Sequence, residues 1–332
     1  MRSTLTIVAA FALSVLSTYL FIRWVDGRNL VAEENHRSMH KGKIAVGGGL
    51  PLIVSALLAL LVIWPWNDLL RVLLPAAAVL ALVSWADDRH ALHPLVRLAT
   101  HIAASAAGVL ALPQEALVFQ GVLPFALDRL VAGLALVWFI NLYNFMDGID
   151  GLAGAETAAI ALGYASITYA GATDAAPLYG LALAVGGASL GFLIWNWSPA
   201  RIFMGDVGSV PLGFLCGMMM LDLAIRHSLA AALILPLYFV ADATITITRR
   251  LLAGAKPWDA HRTHFYQRAA LGIGRHAPVV VRIVICNAAL MTAAVLAVTA
   301  PWLACVIAAG AVGALLVCLE RAAKSRLIGR SE

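Results

Sequence analysis

Asn141-Leu-Tyr-Asn144-Phe-Met-Asp147-Gly-Ile-Asp150-Gly-Leu-Ala-Gly154 follows a long apolar run and is the stretch from which fold and site are predicted here. It places an amide or a carboxylate at every third position, and glycines repeat with the same period. On a helix or a 3₁₀ turn, this spacing puts consecutive polar side chains on neighbouring sites of one face. The glycines leave an adjacent face bare, so that a ligand or another backbone can approach closely. A hydrophilic loop between two membrane helices is the alternative, but the shared register favours a binding site.

The composition of the chain is that of a polytopic membrane protein. Of its 332 residues, 62% are hydrophobic and 12% are charged, which lies far outside the range of soluble domains. The first apolar run is expected to remain as a helix, because no small-residue cleavage site follows it. The 4 cysteines fall in or beside apolar runs, and their spacing favours neither a disulfide nor a metal site.

Apolar segments long enough to span a bilayer, which takes about 17 to 25 residues, occur throughout the chain. The predicted spans are 4–22, 46–64, 69–86, 95–112, 127–145, 153–170, 177–195, 208–225, 229–248, 279–298 and 301–319. We therefore predict an all-α, polytopic membrane helix bundle of about eleven transmembrane helices. Residues 1–332 are expected to form one integral membrane domain.

The distribution of Lys and Arg predicts the orientation of this bundle. If the first loop is cytoplasmic, the alternation of loops puts nineteen Lys and Arg residues inside and four outside, as the positive-inside rule requires. The N-terminus is then outside and the C-terminus cytoplasmic. Every acid-rich or His-rich loop falls on the inner side, so we expect the chemistry at that boundary.

Acidic residues mark two of the inside loops. Asp87 and Asp88 are adjacent carboxylates, which repel each other at a membrane boundary unless a metal ion or another cation lies nearby; a solvated helix cap is the alternative. Asp206 lies in a glycine-flanked turn just ahead of an apolar helix, where a carboxylate suits a divalent cation beside phosphates or serves as an ordinary N-cap. Phe203 lies three residues earlier and could offer an aromatic face to a base.

The first and fifth inside loops supply cations. In loop one, three consecutive glycines at 47–49 follow basic residues, which suits a phosphate but also fits a flexible helix end. In loop five, His261, Arg262 and His264 favour a cationic lid over phosphates. Zinc is disfavoured there, because neither a cysteine nor a third histidine completes a tetrahedral set.

Two acids, Asp222 and Asp242, lie within the predicted spans. Ionisable groups in a bilayer are usually paired with one another. Because Arg249 and Arg250 follow Asp242 within two turns, we expect Asp242 to form a structural ion pair with them.

Taken together, these motifs resemble those of the polyprenyl-phosphate N-acetylhexosamine-1-phosphate transferases, glycosyltransferase family 4. The resemblance extends over all five inside loops and is carried by Asp87-Asp88, by Asn141-x-x-Asn144-x-x-Asp147-Gly-x-Asp150-Gly-Leu, by Phe203-Met-Gly-Asp206-x-Gly-Ser209 and by the His-rich fifth loop. It implies transfer of an N-acetylhexosamine 1-phosphate from a UDP-sugar to undecaprenyl phosphate, with release of UMP. It also implies a requirement for Mg²⁺, with Mn²⁺ as a substitute ion.

The resemblance further implies a location and a set of partners. The protein would be a multi-pass protein of the bacterial inner membrane, with its active site on the cytoplasmic face. Its partners would be undecaprenyl phosphate, a UDP-N-acetylhexosamine and the lipid bilayer, with a homodimer allowed and no nucleic acid.

The same resemblance implies a role for each motif. Asp87 and Asp88 would be catalytic and would orient or deprotonate the lipid phosphate. Asp206 would bind Mg²⁺, with Asn144 as a second ligand or as its support. The residues expected to hold the nucleotide and its phosphates are Asn144, Asp147, Asp150, Phe203, His261, Arg262 and His264.

The donor sugar and the glycan are predicted from the fifth loop. It reads His-Arg-Thr-His-Phe-Tyr-Gln-Arg, where the peptidoglycan branch has three consecutive histidines, and so looks more like the O-antigen initiating branch. It also contains Phe265, Tyr266 and Gln267, and we expect their aromatic rings to form a pocket that gives apolar contact to a sugar without a hydroxyl at carbon 6. We therefore predict a 6-deoxy donor such as the N-acetylfucosamine or quinovosamine form, with UDP-N-acetylglucosamine as the next candidate.

Other functions remain open from the sequence. The peptidoglycan and common-antigen branches of the same family would use a muramyl-pentapeptide donor or UDP-N-acetylglucosamine. A CDP-alcohol phosphotransferase also uses an Asp-Gly motif, but one in which Ala-Arg follows shortly after the glycine. A transporter would place its polar groups near the midplane rather than at one boundary.

Overall fold

The computed structural model describes residues 1–26, 31–32, 44–170, 177–255 and 261–328. Most of the first loop, including its cations at positions 28, 37, 41 and 43, lies outside the described residues. Within them, the helices are α1 (Arg2–Asp26), α2 (Gly49–Ile63), α3 (Asp68–His90), α4 (Pro94–Leu110), α5 (Phe125–Met146), α6 (Leu152–Ala170), α7 (Tyr179–Asn196), α8 (Asp206–Arg226), α9 (Leu229–Ile234), α10 (Leu237–Leu252), α11 (Phe265–Ile273), α12 (Ala277–Leu296) and α13 (Pro301–Ile328). The strands are β1 (Val31–Ala32), β2 (Ile44–Val46) and β3 (Ile202–Phe203).

In the part of the chain that the structure describes, 7 helices are long and apolar enough to cross a membrane, namely α1, α3, α5, α7, α8, α12 and α13. They confirm the predicted helical membrane bundle. All but one of the predicted spans coincide with a single helix. The total of eleven spans and the orientation of the two termini stay predictions.

The exception is the predicted span 229–248, which is interrupted. α9 ends at Ile234 and α10 begins at Leu237, with Pro236 between them. Proline has no backbone N–H, and its ring clashes with the carbonyl group four residues earlier, which accounts for the break. Helical hydrogen bonding resumes beyond it, where the N–H of Val240 donates to the carbonyl of Pro236 at 3.0 Å.

Helix α8 lies at the centre of the bundle. All of its residues from Val207 to Ala224 are buried, and it packs against α2, α3, α5 and α6. Glycines allow these close approaches in a bilayer; a Cβ atom on Gly217, for example, would lie 2.4 Å from Cδ1 of Leu136 on α5. The first turn of α8, which carries Asp206, is therefore surrounded by other helices at one end of the bundle.

A small three-stranded sheet, which the sequence analysis did not predict, joins the first and fourth loops. β2 pairs with β1 in antiparallel and with β3 in parallel orientation. In the parallel pair, Ala45 stands opposite Ile202 and Val46 opposite Phe203. The sheet places the chain that enters α2 beside the chain that enters α8.

The glycines of the first loop continue this pairing. The N–H of Gly48 donates to the carbonyl of Phe203, and that of Gly49 to the carbonyl of Met204, both at 2.9 Å. A Cβ atom on Gly49 would lie 2.1 Å from Cα of Gly208. The close approach expected at these glycines is thus made by the backbone of the fourth loop.

The fifth loop contains α11, a helix of 9 residues that was not predicted. It packs against the C-terminal part of α13, where Nη2 of Arg268 lies 2.7 Å from Oε1 of Glu320. α13 continues to Ile328, well past its predicted end at 319. This extension supports α11 beside the end of the bundle that carries Asp206.

Candidate active site

Asp87 and Asp88 lie in the last turn of α3, and their carboxylates face different partners. Asp87 accepts a hydrogen bond from the N–H of Leu92 at 2.7 Å and pairs with Nη1 of Arg97 at 2.9 Å. It thereby closes the turn between α3 and α4. Asp88 instead accepts from the N–H of Val207, in the first turn of α8. The positive end of a helix dipole favours a carboxylate at that position.

Asp206 is the first residue of α8 and follows Gly205, whose φ of +73° favours glycine. Nδ2 of Asn144 donates to Oδ2 of Asp206 at 3.2 Å. The other end of the same amide is also held, because Oγ of Ser209 donates to Oδ1 of Asn144 at 2.8 Å. The last turn of α5 therefore orients the carboxylate at the start of α8.

Asp147 directly follows α5 and is half-buried. Burial raises the pKa of its carboxyl group to about 7, with further contributions from the nearby charges of Asp206 and Asp150. Asp88 also interacts electrostatically with Asp206. Asp88, Asp147 and Asp206 are called the acid cluster below. Like charges this close are favourable together only if a proton or a cation neutralises part of the charge.

The acid cluster has the ligand chemistry of a hard divalent cation, since Mg²⁺ prefers carboxylate and carbonyl oxygens. Within the described residues, no group of three His, Cys, Asp or Glu side chains already has the geometry of a metal site. The nitrogen of the Asn144 amide, rather than its oxygen, faces Asp206. Asp88 and Asp206 thus fit a cation by their chemistry, with Asn144 as a support. Metal binding by Asp206 and Asn144 stays a prediction.

The polar series of the central stretch does not face one common space. Asn141 lies one turn before Asn144, where it donates to the carbonyl of Val137 at 2.7 Å and bonds the ring of His101. Its side chain therefore joins α5 to α4, away from Asp206. Only Asn144 and Asp147 of the series reach the acid cluster.

Asp150 lies in the turn between α5 and α6 and is 2% exposed. Its side chain contacts two other segments of the chain. Its Oδ2 accepts from the N–H of Ala200 at 3.2 Å and lies 3.3 Å from Nδ1 of His276. These contacts join the central stretch to the fourth loop and to the residue before α12. The predicted part of Asp150 in nucleotide binding is untested, and its visible contacts are structural.

Asn196 is a residue of this region that the sequence analysis missed. Its Oδ1 accepts from the N–H of Gly151 at 2.9 Å, and its Nδ2 donates to the carbonyl of Ile202 at 2.8 Å. The side chain thereby joins the central stretch to β3. An asparagine in an otherwise apolar helix end was the only signal in the sequence, and it did not reveal these partners.

The bare glycine face of the central stretch is covered by side chains from other elements. A Cβ atom on Gly148 would lie 2.1 Å from Oη of Tyr266 in α11. Gly151 has a φ of +76°, and the ring of Trp197 lies against it. The close approach predicted for this face is therefore made by the protein itself.

The basic side chains of the fifth loop lie at two depths. His261 and Arg262 are partly exposed, whereas His264 is 1% exposed and has its Nδ1 3.1 Å from Oδ1 of Asp242. The rings of His261 and His264 stack with their centroids 5.0 Å apart. A phosphate can therefore approach His261 and Arg262, with His264 lying behind them.

Two expectations drawn from the sequence are wrong at this point. Asp242 is not paired with Arg249 and Arg250, because its carboxylate accepts from groups on α10 and on the start of α11. The aromatic pocket for a 6-deoxy sugar is also absent from the described residues: Phe265 and Tyr266 are 6% and 0% exposed. Both side chains pack into the bundle, because α11 turns their apolar rings towards its interior.

Phe203 lies in β3, three residues before Asp206, and is half-buried. The parallel pairing with β2 fixes its backbone beside the acid cluster. A role in holding a base is compatible with this place and stays a prediction.

The fold and the site define a class of protein. It is a helical membrane protein with a cluster of acids at one end of its bundle, bordered by a loop that contains histidines. Residues 70–224, from within α3 to within α8, match the family described as Glycosyl transferase family 4. Over these residues, the chain is similar to the members of this family. The match includes all three residues of the acid cluster.

Two relatives show the extent of the similarity. The chain is 36% identical over 220 residues to the phospho-N-acetylmuramoyl-pentapeptide-transferase of Chlamydia pneumoniae, across 55% of this chain and 61% of that protein. It is 25% identical over 296 residues to the probable undecaprenyl-phosphate N-acetylglucosaminyl 1-phosphate transferase of Bacillus subtilis (strain 168), across 83% of this chain and 80% of that protein. The chain thus spans less than two thirds of the first relative and most of the second.

Proposed function

We propose that this protein transfers an N-acetylhexosamine 1-phosphate from a UDP-sugar to undecaprenyl phosphate and releases UMP. The observation that carries the proposal is the convergence of Asp88, Asp147 and Asp206, with Asn144, at one end of a membrane bundle. The names of the Chlamydia pneumoniae and Bacillus subtilis relatives support the same class of reaction.

The physical properties of the two substrates support a site at the membrane boundary. The acceptor is a long isoprenoid that cannot leave the bilayer, and the donor is a charged nucleotide that cannot enter it. The acid cluster lies where the apolar helices α3 and α5 end and α8 begins. In the proposed setting this boundary is the cytoplasmic face of the bacterial inner membrane.

An apolar cavity that extends from Leu142, near the acid cluster, towards Val118 and Phe119 at the opposite end of α5 is our candidate for part of the isoprenoid chain. Its volume is about 340 Å³, and it lies between α5, α8 and the break that separates α9 from α10, with Leu142, Gly217 and Pro236 in its lining. That volume is at the lower end of the range for ligand pockets. Leu142 is only two residues from Asn144, which contacts Asp206. A chain in this cavity would bring its phosphate towards the site.

In the proposed reaction, an oxygen of the lipid phosphate attacks the phosphorus that carries the sugar. A new pyrophosphate bond forms, and the bond from that phosphorus to the bridging oxygen breaks, so that UMP leaves with this oxygen. Asp88 is the residue we assign to orienting the lipid phosphate or accepting its proton. Positioning and charge control supply most of the rate in phosphoryl transfer.

The remaining residues would bind the charged groups. Asp206 and Asp88 would hold Mg²⁺, which when bound neutralises phosphate charge and stabilises the charge that develops on the leaving UMP. Asn144 keeps the carboxylate of Asp206 in place, and the partly exposed His261 and Arg262 would neutralise the pyrophosphate of the donor.

For the biological step, we propose O-antigen or related surface glycan synthesis, because the fifth loop lacks three consecutive histidines. The burial of Phe265 and Tyr266 removes the argument for a 6-deoxy donor, so UDP-N-acetylglucosamine becomes the first donor to test. A muramoyl-pentapeptide donor is the second candidate, favoured by the 36% identity with the Chlamydia pneumoniae relative.

The test is to incubate the purified protein with undecaprenyl phosphate, Mg²⁺ and one UDP-sugar at a time, and to measure UMP. We expect release only when lipid, donor and Mg²⁺ are all present. UMP release without the lipid would contradict the transfer, and flux of a substrate through protein-containing vesicles would favour a transporter. Reaction with the muramoyl-pentapeptide donor alone would establish the second candidate.

A further inference from the structure

The carboxylate of Asp242 lies within α10, outside every loop motif, and is fully buried. Two of its hydrogen bonds come from its own helix, one turn to either side: the hydroxyl of Tyr238 donates at 3.1 Å and that of Thr246 at 3.2 Å. Burying a carboxylate is unfavourable unless its oxygens are well bonded. The other donors to this carboxylate therefore identify the segment of the chain that it holds in place.

Those donors all belong to the start of α11. Nδ1 of His264 lies 3.1 Å from Oδ1 of Asp242. The N–H groups of Phe265 and Tyr266 donate to Oδ1 and Oδ2 at 3.1 and 3.2 Å. The first N–H groups of a helix have no partner within it, and the helix dipole favours an anion there. Asp242 thus caps the N-terminus of α11 from another helix.

The same carboxylate fixes the ring of His264. A hydrogen bond from Nδ1–H to a carboxylate sets both the orientation of a histidine ring and the nitrogen that carries the proton. His261 stacks on this ring at 5.0 Å between centroids. The ring of His264 therefore provides a fixed surface against which His261 packs.

The contact continues from α11 to the central stretch. Oη of Tyr266 donates to the carbonyl of Phe145 at 3.0 Å and lies against Gly148. Phe145 lies two residues before Asp147, and Gly148 directly follows it. The first turn of α11 is therefore held between Asp242 and the acid cluster.

We propose that Asp242 is the positioning residue of the fifth loop. Through His264 and the first turn of α11, it holds His261 and Arg262 beside the acid cluster, where they meet the pyrophosphate of the nucleotide donor. The identity of that ligand rests on the proposed function, whereas the attachment of α11 to Asp242 does not.

Asp222 provides a matched control. It is also buried, at 1% exposure, and also bonds a tyrosine and a basic side chain: Oη of Tyr164 at 2.6 Å and Nε of Arg226 at 2.8 Å. It lies on α8, and within the described residues its hydrogen bonds go to α6 and α8 rather than to α11. Asp222→Asn therefore removes a buried charge from the bundle without touching the fifth loop.

The first readout is amide hydrogen exchange of residues 264–273, measured by mass spectrometry on the full-length protein. In Asp242→Asn, the loss of the charge should weaken the cap and speed exchange at Phe265 and Tyr266 by about tenfold or more. Asp222→Asn should leave exchange in this segment at the wild-type rate. Unchanged exchange in Asp242→Asn would overturn the proposal.

The second readout separates KM from kcat in UMP release. Asp242→Asn should raise KM for the UDP-sugar by about tenfold or more with a smaller change in kcat, because binding of the pyrophosphate is what the loop supplies. Asp222→Asn should keep the wild-type KM. A fall in kcat with an unchanged KM in Asp242→Asn would show a general structural role and would refute positioning of the donor.

A milder variant covers the case in which Asp242→Asn does not fold. Asp242→Glu keeps the charge but moves it one methylene further from the backbone. The rate of amide exchange and the KM should therefore both rise, but by less than in Asp242→Asn. Wild-type values for both in this variant would count against the proposal. If the wild type releases no UMP with any donor, the proposed function fails, and the exchange experiment still decides whether Asp242 holds α11.

Discussion

The amide nitrogen of Asn144 lies 3.2 Å from Oδ2 of Asp206 and joins the end of α5 to the start of α8 across 62 residues of sequence. Ser209 holds the other end of the same amide at 2.8 Å. Because the amide is bonded at both ends, it keeps the carboxylate of Asp206 in one orientation. Asp206 is therefore a preorganised ligand at the start of a buried helix.

Asp206→Asn should abolish transfer while the fold is kept. The substitution removes a charge that the proposed cation needs but retains the size of the side chain, and it lowers the repulsion within the acid cluster. We expect UMP release to fall by at least about a hundredfold, with a melting temperature at or above that of the wild type. Asp68→Asn is the control, because Asp68 is exposed at the opposite end of α3. Wild-type turnover in Asp206→Asn would remove this residue from the site.

Asp87→Asn and Asp88→Asn should have different effects, although the two residues are neighbours. Asp88 faces α8 and the acid cluster, so its loss should lower turnover by at least about a hundredfold with little change in stability. Asp87 is bonded to Arg97 and to the N–H of Leu92, so its loss should cost about 1 to 2 kcal/mol of stability and less activity. Turnover and thermal unfolding of both variants measure this. Equal losses of turnover in the two variants would contradict the separation.

The pKa of Asp147, raised from 3.8 to about 7, predicts how pH and Mg²⁺ act together. Without a cation, the folded protein binds the proton of this group more tightly than the unfolded chain does. The free energy of unfolding should therefore decrease as pH rises from about 4 to about 7. A cation in the acid cluster replaces that proton, so Mg²⁺ should raise the melting temperature more at pH 8 than at pH 5.5.

Asp147→Asn is the control for this pH dependence, because its amide does not titrate. In Asp147→Asn, the increase in melting temperature that Mg²⁺ causes should differ less between pH 5.5 and pH 8 than it does in the wild type. An increase in melting temperature that is the same at pH 5.5 and pH 8 in the wild type would show that Mg²⁺ does not bind beside Asp147.

Most helices could be predicted from sequence, because a long apolar run in a bilayer has few structures open to it other than a helix. The break at Pro236 could not, since Pro75 and Pro211 remain inside α3 and α8. Which proline interrupts a helix depends on the packing around it. α11 was missed because a helix of 9 residues in a polar loop carries no span signal.

The partners of individual side chains were the other limit. Asp87 and Asp88 are adjacent in sequence, but successive residues of a helix point about 100° apart, so one meets Arg97 and the other α8. His264 belongs to a cationic motif that looked accessible, and only tertiary packing shows it bonded to Asp242. Sequence indicated the residue types of the site, whereas their partners depend on which helices become neighbours.

Gly148→Ala should displace α11 from the central stretch. The new Cβ atom would lie 2.1 Å from Oη of Tyr266 and 3.1 Å from Nε2 of Gln267, so these two side chains of α11 must shift, and the hydrogen bond from Tyr266 to the carbonyl of Phe145 is strained. Overpacking of this kind costs about 1 to 3 kcal/mol, and we expect a lower melting temperature together with slower UMP release. Gly133→Ala is the control, because nothing lies within 4 Å of the Cβ position there. A Gly148→Ala variant as active and stable as Gly133→Ala would contradict the contact.

The last prediction concerns the side of the membrane that carries the site, which follows from the bias of nineteen Lys and Arg residues against four. In a variant with Cys305 and Cys318, both exposed, replaced by alanine, single cysteines are introduced at His90 and Arg201 on the predicted inner side and at Val122 on the outer side. All three positions are exposed. An impermeant maleimide should label Val122→Cys in intact cells, and His90→Cys and Arg201→Cys only after the inner membrane is opened.

This experiment also tests α4, an apolar helix of 17 residues that, like α2, is shorter than the 7 helices long enough to cross a membrane. His90 precedes α4 and Val122 follows it, so labelling from opposite sides requires α4 to cross the membrane. Labelling of both from the same side would mean that α4 does not span, and the parity of every later loop would reverse. Labelling of His90→Cys and Arg201→Cys from different sides would separate Asp88 from Asp206 across the bilayer and so contradict the acid cluster itself.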